Sequence, residues 1–335
     1  MGDLTMSETL RKDHAKELPN ARFSCDGLLE LSAPASADQS VSPAQARQLA
    51  LNGSPEDRED FTAKVVVRTP YIQMMDDSVR SLMEVACRIP FPGGFCVAGE
   101  GGTGKTVLLE EIKKKFPPSE SYFSSTKTVV ELRLPERPTP AGVAQHLLHE
   151  LGNPLANAKV GPDMDTVLFK TLAVCRTKIV LFDEAHHLVP SSGPRRNSAR
   201  LTGATGDYLK FVHDMTRIPF GFFGPPEFLD AFNVDSQLRS RFPGRIEMTH
   251  YARGRDWLQV LQALDRALPL PEQGGLASPE MASWLHKVSS GNFRELKRLL
   301  GRAVFIASTE GSPKLSKKNL ERAARLINMG LGAPS

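Results

Sequence analysis

The sequence has few cysteines and no long apolar run, and each shortage narrows the class of protein. Its 335 residues include four cysteines, and none stands in a CxxC pair or at another metal-ligand spacing: Cys25, Cys87, Cys96 and Cys175. We therefore expect reduced, mostly buried thiols of a cytoplasmic protein. No apolar stretch approaches the length of a membrane span, and the first residues are too polar for a signal peptide.

Acidic residues are scarce in two stretches, although the net charge of the whole chain is only +4. Residues 190–206 hold Arg195, Arg196 and Arg200 and no acid, and between residues 294 and 325 nine lysines and arginines accompany three acids. A solvated surface would explain either stretch, but the imbalance favours an anionic partner. We predict that these three arginines, with Arg137 of the loop 135–138, contact DNA phosphates without reading sequence.

One octapeptide organises the chain: residues 99–106 fit the phosphate-loop pattern GxxxxGK[ST] at every fixed position. An apolar strand-like segment precedes it, and a segment with helical spacing follows. Glycines let such a loop turn backbone N–H groups onto phosphates, and the helix N-terminus behind it favours the same anions. The predicted nucleotide-binding residues are Gly99, Glu100, Gly101, Gly102, Thr103, Gly104, Lys105, Thr106 and Val107. Lys105 would reach the β- and γ-phosphates, and the Thr106 hydroxyl would bind Mg²⁺.

A second signature follows about 80 residues later, a normal spacing for strands joined by crossovers. After Lys178, residues 179–182 are continuously apolar and are followed by Asp183 and Glu184. This pattern predicts a buried parallel strand with acids at its carboxyl tip, where ligands of open α/β sheets bind. Strand-end acids also cap helices. Combined with the phosphate loop, however, they favour Asp183 as a Mg²⁺ ligand and Glu184 as the residue that activates the attacking water.

The remaining pattern divides the chain into three parts. Residues 1–60 are a poorly hydrophobic arm, either disordered or partner-binding, with one short helix capped by Ser42 and ended by Gly53. Residues 61–250 alternate between strands and helices, with strands expected at 94–98, 128–134, 178–184, 219–224 and 245–248. From residue 251 to about 330 the spacing is helical throughout. No internal repeats are present.

Four segments together resemble AAA+ ATPases: GEGGTGKT, IVLFDEAHHL, the arginines of QLRSRF and SGNFRELKRLL. They correspond in order to Walker A, Walker B, an arginine-finger segment and sensor 2. Within that class, RPTPAGVAQHLLHELGNP, DEAHHL and GNFREL are most similar to the TniB-type transposition ATPases, relatives of TnsC and MuB. The resemblance covers roughly residues 62–330.

The resemblance implies a three-layer α/β/α P-loop domain with a five-stranded parallel sheet, followed by a small helical lid. It implies a regulator that binds ATP and Mg²⁺ and assembles as a ring or helical filament on double-stranded target DNA. Such a regulator would recruit a DDE transposase, with a possible TniQ-like adaptor, and release after hydrolysis. By match, Lys105 and Glu184 serve catalysis, and Arg294 touches the phosphates. Arg241, or else Arg239, would reach the neighbouring subunit's nucleotide.

One departure concerns hydrolysis. In this family a Thr tends to follow the glycine that ends the fourth sheet strand, but here Gly224 is followed by Pro225 and Pro226, which cannot hydrogen-bond through their side chains. Two alternatives therefore stand beside the transposition regulator. One is a helicase loader or replication initiator of the AAA+ class, and the other is an ATP-binding DNA scaffold with negligible turnover. A DEAH helicase would need a second motor domain, for which too few residues follow Glu184.

Overall fold

The structure is a computed structural model, and it describes residues 31–32, 42–68, 70–86, 88, 93–121, 124–154, 164–189 and 203–330. Arg195, Arg196 and Arg200, as well as Cys25 and Cys87, lie outside these residues. The strands are β1 Leu31–Ser32, β2 Val66–Val67, β3 Phe95–Gly99, β4 Ser119–Ser121, β5 Ser124–Thr126, β6 Val129–Arg133, β7 Ile179–Asp183, β8 Phe220–Gly224 and β9 Gly244–Met248.

The helices alternate with the sheet strands and then run without interruption to the end of the described chain. They are α1 Pro43–Asn52, α2 Pro55–Lys64, α3 Pro70–Ala86, α4 Lys105–Lys115, α5 Pro140–Glu150, α6 Met164–Val174, α7 Gly203–Thr216, α8 Phe228–Val234, α9 Ser236–Arg241, α10 Arg255–Ala267, α11 Pro279–Ser289, α12 Phe293–Thr309 and α13 Lys317–Gly330. A single 3₁₀ turn, Ala185–Leu188, follows β7.

The central sheet has five parallel strands in the order β6-β7-β8-β3-β9. Because parallel strands share one carboxyl edge, the segments after β3, β7 and β8 meet there. The strand β8 lies between β3 and β7, so Pro225 follows the strand that separates the glycine loop from Asp183. The five-stranded parallel sheet predicted from the sequence is confirmed.

Apolar side chains cover both faces of the sheet. On one face Phe182, Phe222 and Phe242 pack together, with Phe182 and Phe222 stacked at 5.2 Å between ring centroids. On the other, Leu108 and Ile112 of α4 pack against Val97. Such two-sided burial explains why the strands are continuous apolar runs rather than alternating ones.

Sequence signals fixed several helix boundaries. Ser42 accepts a hydrogen bond from the Gln45 N–H, and Gln45 bonds back, which forms a complete capping box for α1. Thr139 caps α5 in a similar way, with Pro140 in the first turn. The sequence analysis missed the β4–β5 hairpin and α2.

The predicted boundary at residue 60 falls within α2. The helix α2 spans that position and packs on α12, and Val65 and Val67 belong to the same apolar core as the helices after residue 251. The Arg47 guanidinium donates to the carbonyl oxygens of Leu268 and Leu270 at 2.9 and 2.7 Å. Residues 43–67 are therefore part of the lid. The low content of apolar residues in this segment had suggested a free arm. No sequence signal indicated its packing, because contacts between residues more than 200 positions apart leave no local pattern.

The two described cysteines, Cys96 and Cys175, are buried and free, as expected. Burial raises the pKa of the Cys96 thiol to about 12. Within the described part of the chain, no helix is both long and apolar enough to cross a bilayer.

Candidate nucleotide-binding site

The glycine loop has the backbone that a phosphate cradle needs. Gly102 and Gly104 have φ angles of +85° and +101°, which favour glycine, and Gly104 is the N-cap residue of α4. The Lys105 ammonium donates to the carbonyl oxygens of Gly99 and, at 2.9 Å, of Glu100. Two loop carbonyls thus accept from the loop's own lysine, and the N-terminus of α4 at Gly104, Lys105 and Thr106 lines a cavity, which suits a phosphate.

The lid docks directly on this loop through Asn292. The Asn292 side-chain oxygen accepts from the Arg294 and Glu295 N–H groups, which caps α12, while its amide nitrogen donates to the Gly101 carbonyl at 3.0 Å. A Cβ on Gly102 would overlap the Asn292 amide. The closeness of loop and lid therefore depends on the missing side chain at residue 102.

A cavity of about 640 Å³ lies between the loop and the lid. This volume is within the range of small-molecule sites. The lining combines seven of the nine predicted nucleotide-binding residues, without Glu100 and Thr103, with residues of four other segments: Gly99, Gly101, Gly102, Gly104, Lys105, Thr106, Val107, Asp183, Glu184, His186, Pro225, Phe293, Arg294, Lys297, Arg298, Gly301, Glu59 and Ala63. The structure thus brings Arg294 to the same space as Lys105 and Asp183.

The two acids of β7 have different surroundings. Burial raises the pKa of Asp183, although its carboxylate also accepts from the Glu184 N–H at 2.9 Å. Glu184 has a left-handed backbone, φ +56°, and its carboxylate lies 3.2 Å from the Arg133 guanidinium and 3.3 Å from His186 Nδ1. Burial, followed by the neighbouring His187, lowers the pKa of the His186 imidazole.

The donor set fits Mg²⁺ held together with a nucleotide. Within the described ranges no group of three or more His, Cys, Asp or Glu side chains could hold a metal alone. Mg²⁺ in phosphate-transfer sites takes one or two protein oxygens and completes its shell with phosphates and water. Asp183 and Thr106, which line one cavity, match that requirement. Burial lowers the pKa of Lys105, with Asp183 and Glu184 opposing the shift, so this part of the cavity also holds opposite charges.

Pro225 lines the cavity, directly after β8 and between the two signatures. The side chain at this position cannot offer a hydrogen bond. His186 and Glu184, which follow β7, line the same cavity.

The two candidate finger arginines differ in their contacts. Arg241 has an acid beside it, because its guanidinium donates to both carboxylate oxygens of Asp214, at 2.9 and 2.6 Å. The Arg241 hydrogen bond lowers the pKa of Asp214. Arg239 is exposed and has no carboxylate partner among the residues that the structure describes. The two arginines were indistinguishable in sequence because Asp214 lies on another helix, α7.

Of the predicted DNA contacts, Arg137 is exposed in the loop after β6. The other three arginines fall outside the described residues. Several residues of the site were not predicted, namely Glu59, Ala63, Asn292 and Lys297. Only Asn292 carried a local signal, as an N-cap residue ahead of an apolar stripe. The others reach the cavity through helix packing.

The fold and the site define the class: a P-loop domain with five parallel strands and a helical lid over the phosphate loop is a nucleotide-binding AAA+ ATPase. The model of the bacterial TniB protein family matches residues 59–251. More than half of the chain lies in that match, and the chain belongs to the TniB family.

Solved structures with the same fold are distant in sequence. The ORC2 protein of Aeropyrum pernix, in ADPNP-ADP complexes, has a TM-score of 0.54 and 16% identity over 77% of this chain and 69% of its own. CDC6P from Pyrobaculum aerophilum has a TM-score of 0.54 and 18% identity, over 80% of this chain and 71% of its own. The ORC1 protein of Aeropyrum pernix in complex with DNA has a TM-score of 0.50 and 18% identity, over 75% of this chain and 64% of its own. These likenesses establish the AAA+ fold alone. No curated protein matches the chain.

Proposed function

We propose that this protein is an ATP-dependent regulator of DNA transposition that assembles on double-stranded DNA and recruits a DDE transposase. ATP would hold the DNA-bound state, and slow hydrolysis would end it. The TniB family match is the observation that carries the proposal. The cavity supports it, since the phosphate loop, Asp183 and Glu184 line it together with Arg294 of the lid.

The proposed roles follow from these positions. The loop N–H groups and Lys105 would bind phosphates, and Thr106 and Asp183 would hold Mg²⁺, which would supply charge neutralisation at the phosphates. Glu184 would orient and polarise the attacking water, while Arg133 restrains its carboxylate. Arg294 contacts phosphate from the lid.

Assembly would be a ring or helical filament with nucleotide between subunits. We assign the arginine that reaches the neighbour's nucleotide to Arg239, because Arg241 is engaged by Asp214 within its own chain. A cytoplasmic location and a TniQ-like adaptor belong to the same proposal.

A helicase loader or replication initiator is the second candidate. The ORC1 relative was solved in complex with DNA, and DNA contact is common to both candidates. The two differ in the partner. A transposition regulator binds a DDE transposase in its ATP state, whereas a loader binds a replicative helicase.

The test uses Glu184→Gln and Lys105→Ala in the full chain. With ATP and duplex DNA, Glu184→Gln should bind DNA and form persistent rings or filaments in electron microscopy, because only water activation is lost. Lys105→Ala should form none, since it lacks the main phosphate cation. Parent-rate hydrolysis by Glu184→Gln, or a strict monomer with ATP and DNA present, would contradict the proposal.

A further inference from the structure

Lys297 is a cation of the cavity that the nucleotide signatures do not include. It lies on α12 one turn beyond Arg294, and it lines the cavity beside Arg298 and Gly301. The ammonium is 5.9 Å from the centroid of the Phe293 ring. Among the described residues it makes no ion pair, whereas Arg302 on the same helix lies 3.4 Å from Glu59.

A half-buried ammonium without a counter-ion is costly, since it gives up part of its hydration and gains no opposite charge. Burial lowers the pKa of Lys297 to about 8, and no nearby charge opposes this shift. Lys105 differs, because carboxylates offset part of its burial. The structure thus retains a cation that the free protein does not neutralise.

Four elements contribute charged or titratable side chains to the cavity around Lys297. They are Arg294 and Arg298 on the same helix, Glu59 on α2, Lys105 on α4, and Asp183, Glu184 and His186 at the end of β7. Among the described residues none of these acids forms an ion pair with Lys297, and none opposes the effect of burial on its pKa. The missing counter-ion is therefore not one of the cavity's own carboxylates.

We propose that Lys297 is a second lid cation that contacts the phosphate chain of the bound nucleotide, on the nucleoside side of Arg294. Arg294 and Lys297 are three positions apart on α12, which is a rise of about 4.5 Å along the helix axis. Arg294 lies at the glycine loop, with its guanidinium 3.9 Å from where a Gly101 Cβ would be. Further along α12, a Gly301 Cβ would lie 3.6 Å from the Glu59 carbonyl of α2. Lys297 therefore lies between the glycine loop and α2, where the α-phosphate would follow the β- and γ-phosphates. This inference rests on the proposed nucleotide binding.

The contact makes affinity dependent on pH, and the direction follows from the free state. Phosphate binding needs the charged ammonium, so it raises the pKa of Lys297 above its free value of about 8. Below pH 7 the free lysine is charged and binding takes up no proton. Above pH 8 binding must first protonate it, so affinity falls as pH rises. Between pH 7 and 9 the free charged fraction drops about tenfold, and affinity should fall by the same factor.

Isothermal titration calorimetry with Mg²⁺-ATP and Mg²⁺-ADP, at pH 7 and pH 9, tests this in the full chain. The parent should bind both nucleotides about tenfold more weakly at pH 9. Lys297→Met should bind more weakly at pH 7 and lose the pH dependence. Lys297→Arg should keep the affinity of pH 7 at both values, because an arginine does not titrate there. Lys318→Met, which removes an exposed lysine of the same basic stretch, should match the parent.

Two controls separate the possible failures. The melting temperature of ligand-free Lys297→Met should not fall, because the mutation removes an unpaired, partly desolvated charge. If the parent binds nucleotide but Lys297→Met has the same nucleotide affinity and pH dependence, the assignment is overturned. It is also overturned if Lys297→Met loses DNA affinity but keeps the nucleotide affinity of the parent. If the parent binds no nucleotide at pH 7, the proposed function itself is wrong, and this assignment with it.

Discussion

At the residue scale, single atoms decide whether the lid can close on the phosphate loop. Asn292 both caps α12 and donates to the Gly101 carbonyl, so one side chain joins the start of the lid helix to the loop. The site therefore combines a local signal, the N-cap, with a contact that only folding creates. Gly102 also combines a local and a tertiary requirement. Its positive φ angle favours glycine, and the Asn292 side chain leaves no space for a Cβ.

We predict that Gly102→Ala weakens ATP binding at least tenfold. An alanine there must adopt a φ near +85° and would also overlap the Asn292 amide. The matched control is Gly152→Ala, since Gly152 has a φ of +72° and open space around its Cβ position. This control bears only the left-handed backbone cost of about 1–2 kcal/mol. Fluorescence titration with an ATP analogue measures both, and equal affinities would show that the lid does not press on residue 102.

The arginine pair gives a prediction on stability. Arg241→Gln should lower the free energy of unfolding by about 1 kcal/mol at pH 7, because two charge-assisted bonds to a partly exposed Asp214 are lost. Arg239→Gln should leave it unchanged and should instead reduce ATP hydrolysis in the assembled state.

Arg241 lowers the pKa of Asp214 below the reference value of 3.8, so the pair stabilises the fold fully above that pH and is lost as the pH falls through the folded value. The stability difference between parent and Arg241→Gln should therefore shrink below about pH 4. Urea unfolding of both variants provides the check. A larger loss in Arg239→Gln than in Arg241→Gln would reverse the assignment.

Pro225 leads to a prediction on rate. Losing one hydrogen bond to the lytic water costs about 2–4 kcal/mol of transition-state stabilisation, which is roughly a hundredfold or more. We expect turnover of a few per minute or slower in the free protein, since Pro225 lines the cavity without a hydrogen-bonding side chain. Pro225→Thr should speed hydrolysis and shorten the lifetime on DNA. Steady-state turnover near ten per second in the unmodified protein would refute this.

At the element scale, the N-terminal helices hold the lid. The helix α2 packs on α12 beside the cavity and contributes Glu59 and Ala63 to its wall. The helix α1 is tied to the end of α10 by Arg47. Truncating residues 43–64 would therefore open the nucleotide site from the side opposite the phosphate loop.

We predict that Arg47→Gln lowers the free energy of unfolding by about 1–3 kcal/mol, because two carbonyl groups lose a charged donor. The control is Lys64→Gln, which breaks an exposed pair with Asp60 and should cost less than about 0.5 kcal/mol. Thermal unfolding with and without Mg²⁺-ATP separates stability from nucleotide binding. If Arg47→Gln melted like the parent, α1 would not be part of the lid in solution.

At the scale of the whole molecule, charge is distributed unevenly. The acids of the nucleotide site are balanced by Lys105 and Arg133, whereas the lid helices from residue 294 onward carry nine cations and three acids. A polyanionic partner would meet mostly positive charge there and around Arg137.

We predict that replacing Arg195, Arg196 and Arg200 together by alanine lowers the slope of log DNA affinity against log salt by as much as about 2–3 units. Binding should weaken equally on unrelated duplexes, since phosphate contacts carry no sequence information. Fluorescence anisotropy at several salt concentrations measures the slope. An unchanged slope would move the DNA contact to other cations, with Arg298 and Arg302 next.

By itself, the sequence determined the class of the protein and the phosphate end of its site. The glycine loop, the acids after β7 and the caps of α1 and α5 are local patterns, because each depends on residues within a few positions of one another. Short apolar runs were likewise enough to predict the five strands, and helical spacing predicted the region after residue 251. The resemblance then supplied the TniB family, which the family model confirms.

The tertiary structure alone decided where the lid begins, which arginine is already paired and what closes the cavity. Arg241 meets Asp214 from another helix, and Glu59 reaches the site from a segment that had looked like an arm. Lys297 belonged to a basic stripe in sequence and becomes a cavity residue only when α12 is placed over the loop. Contacts between residues tens to hundreds of positions apart produce no periodic pattern in the sequence, because they depend on how complete helices pack against one another.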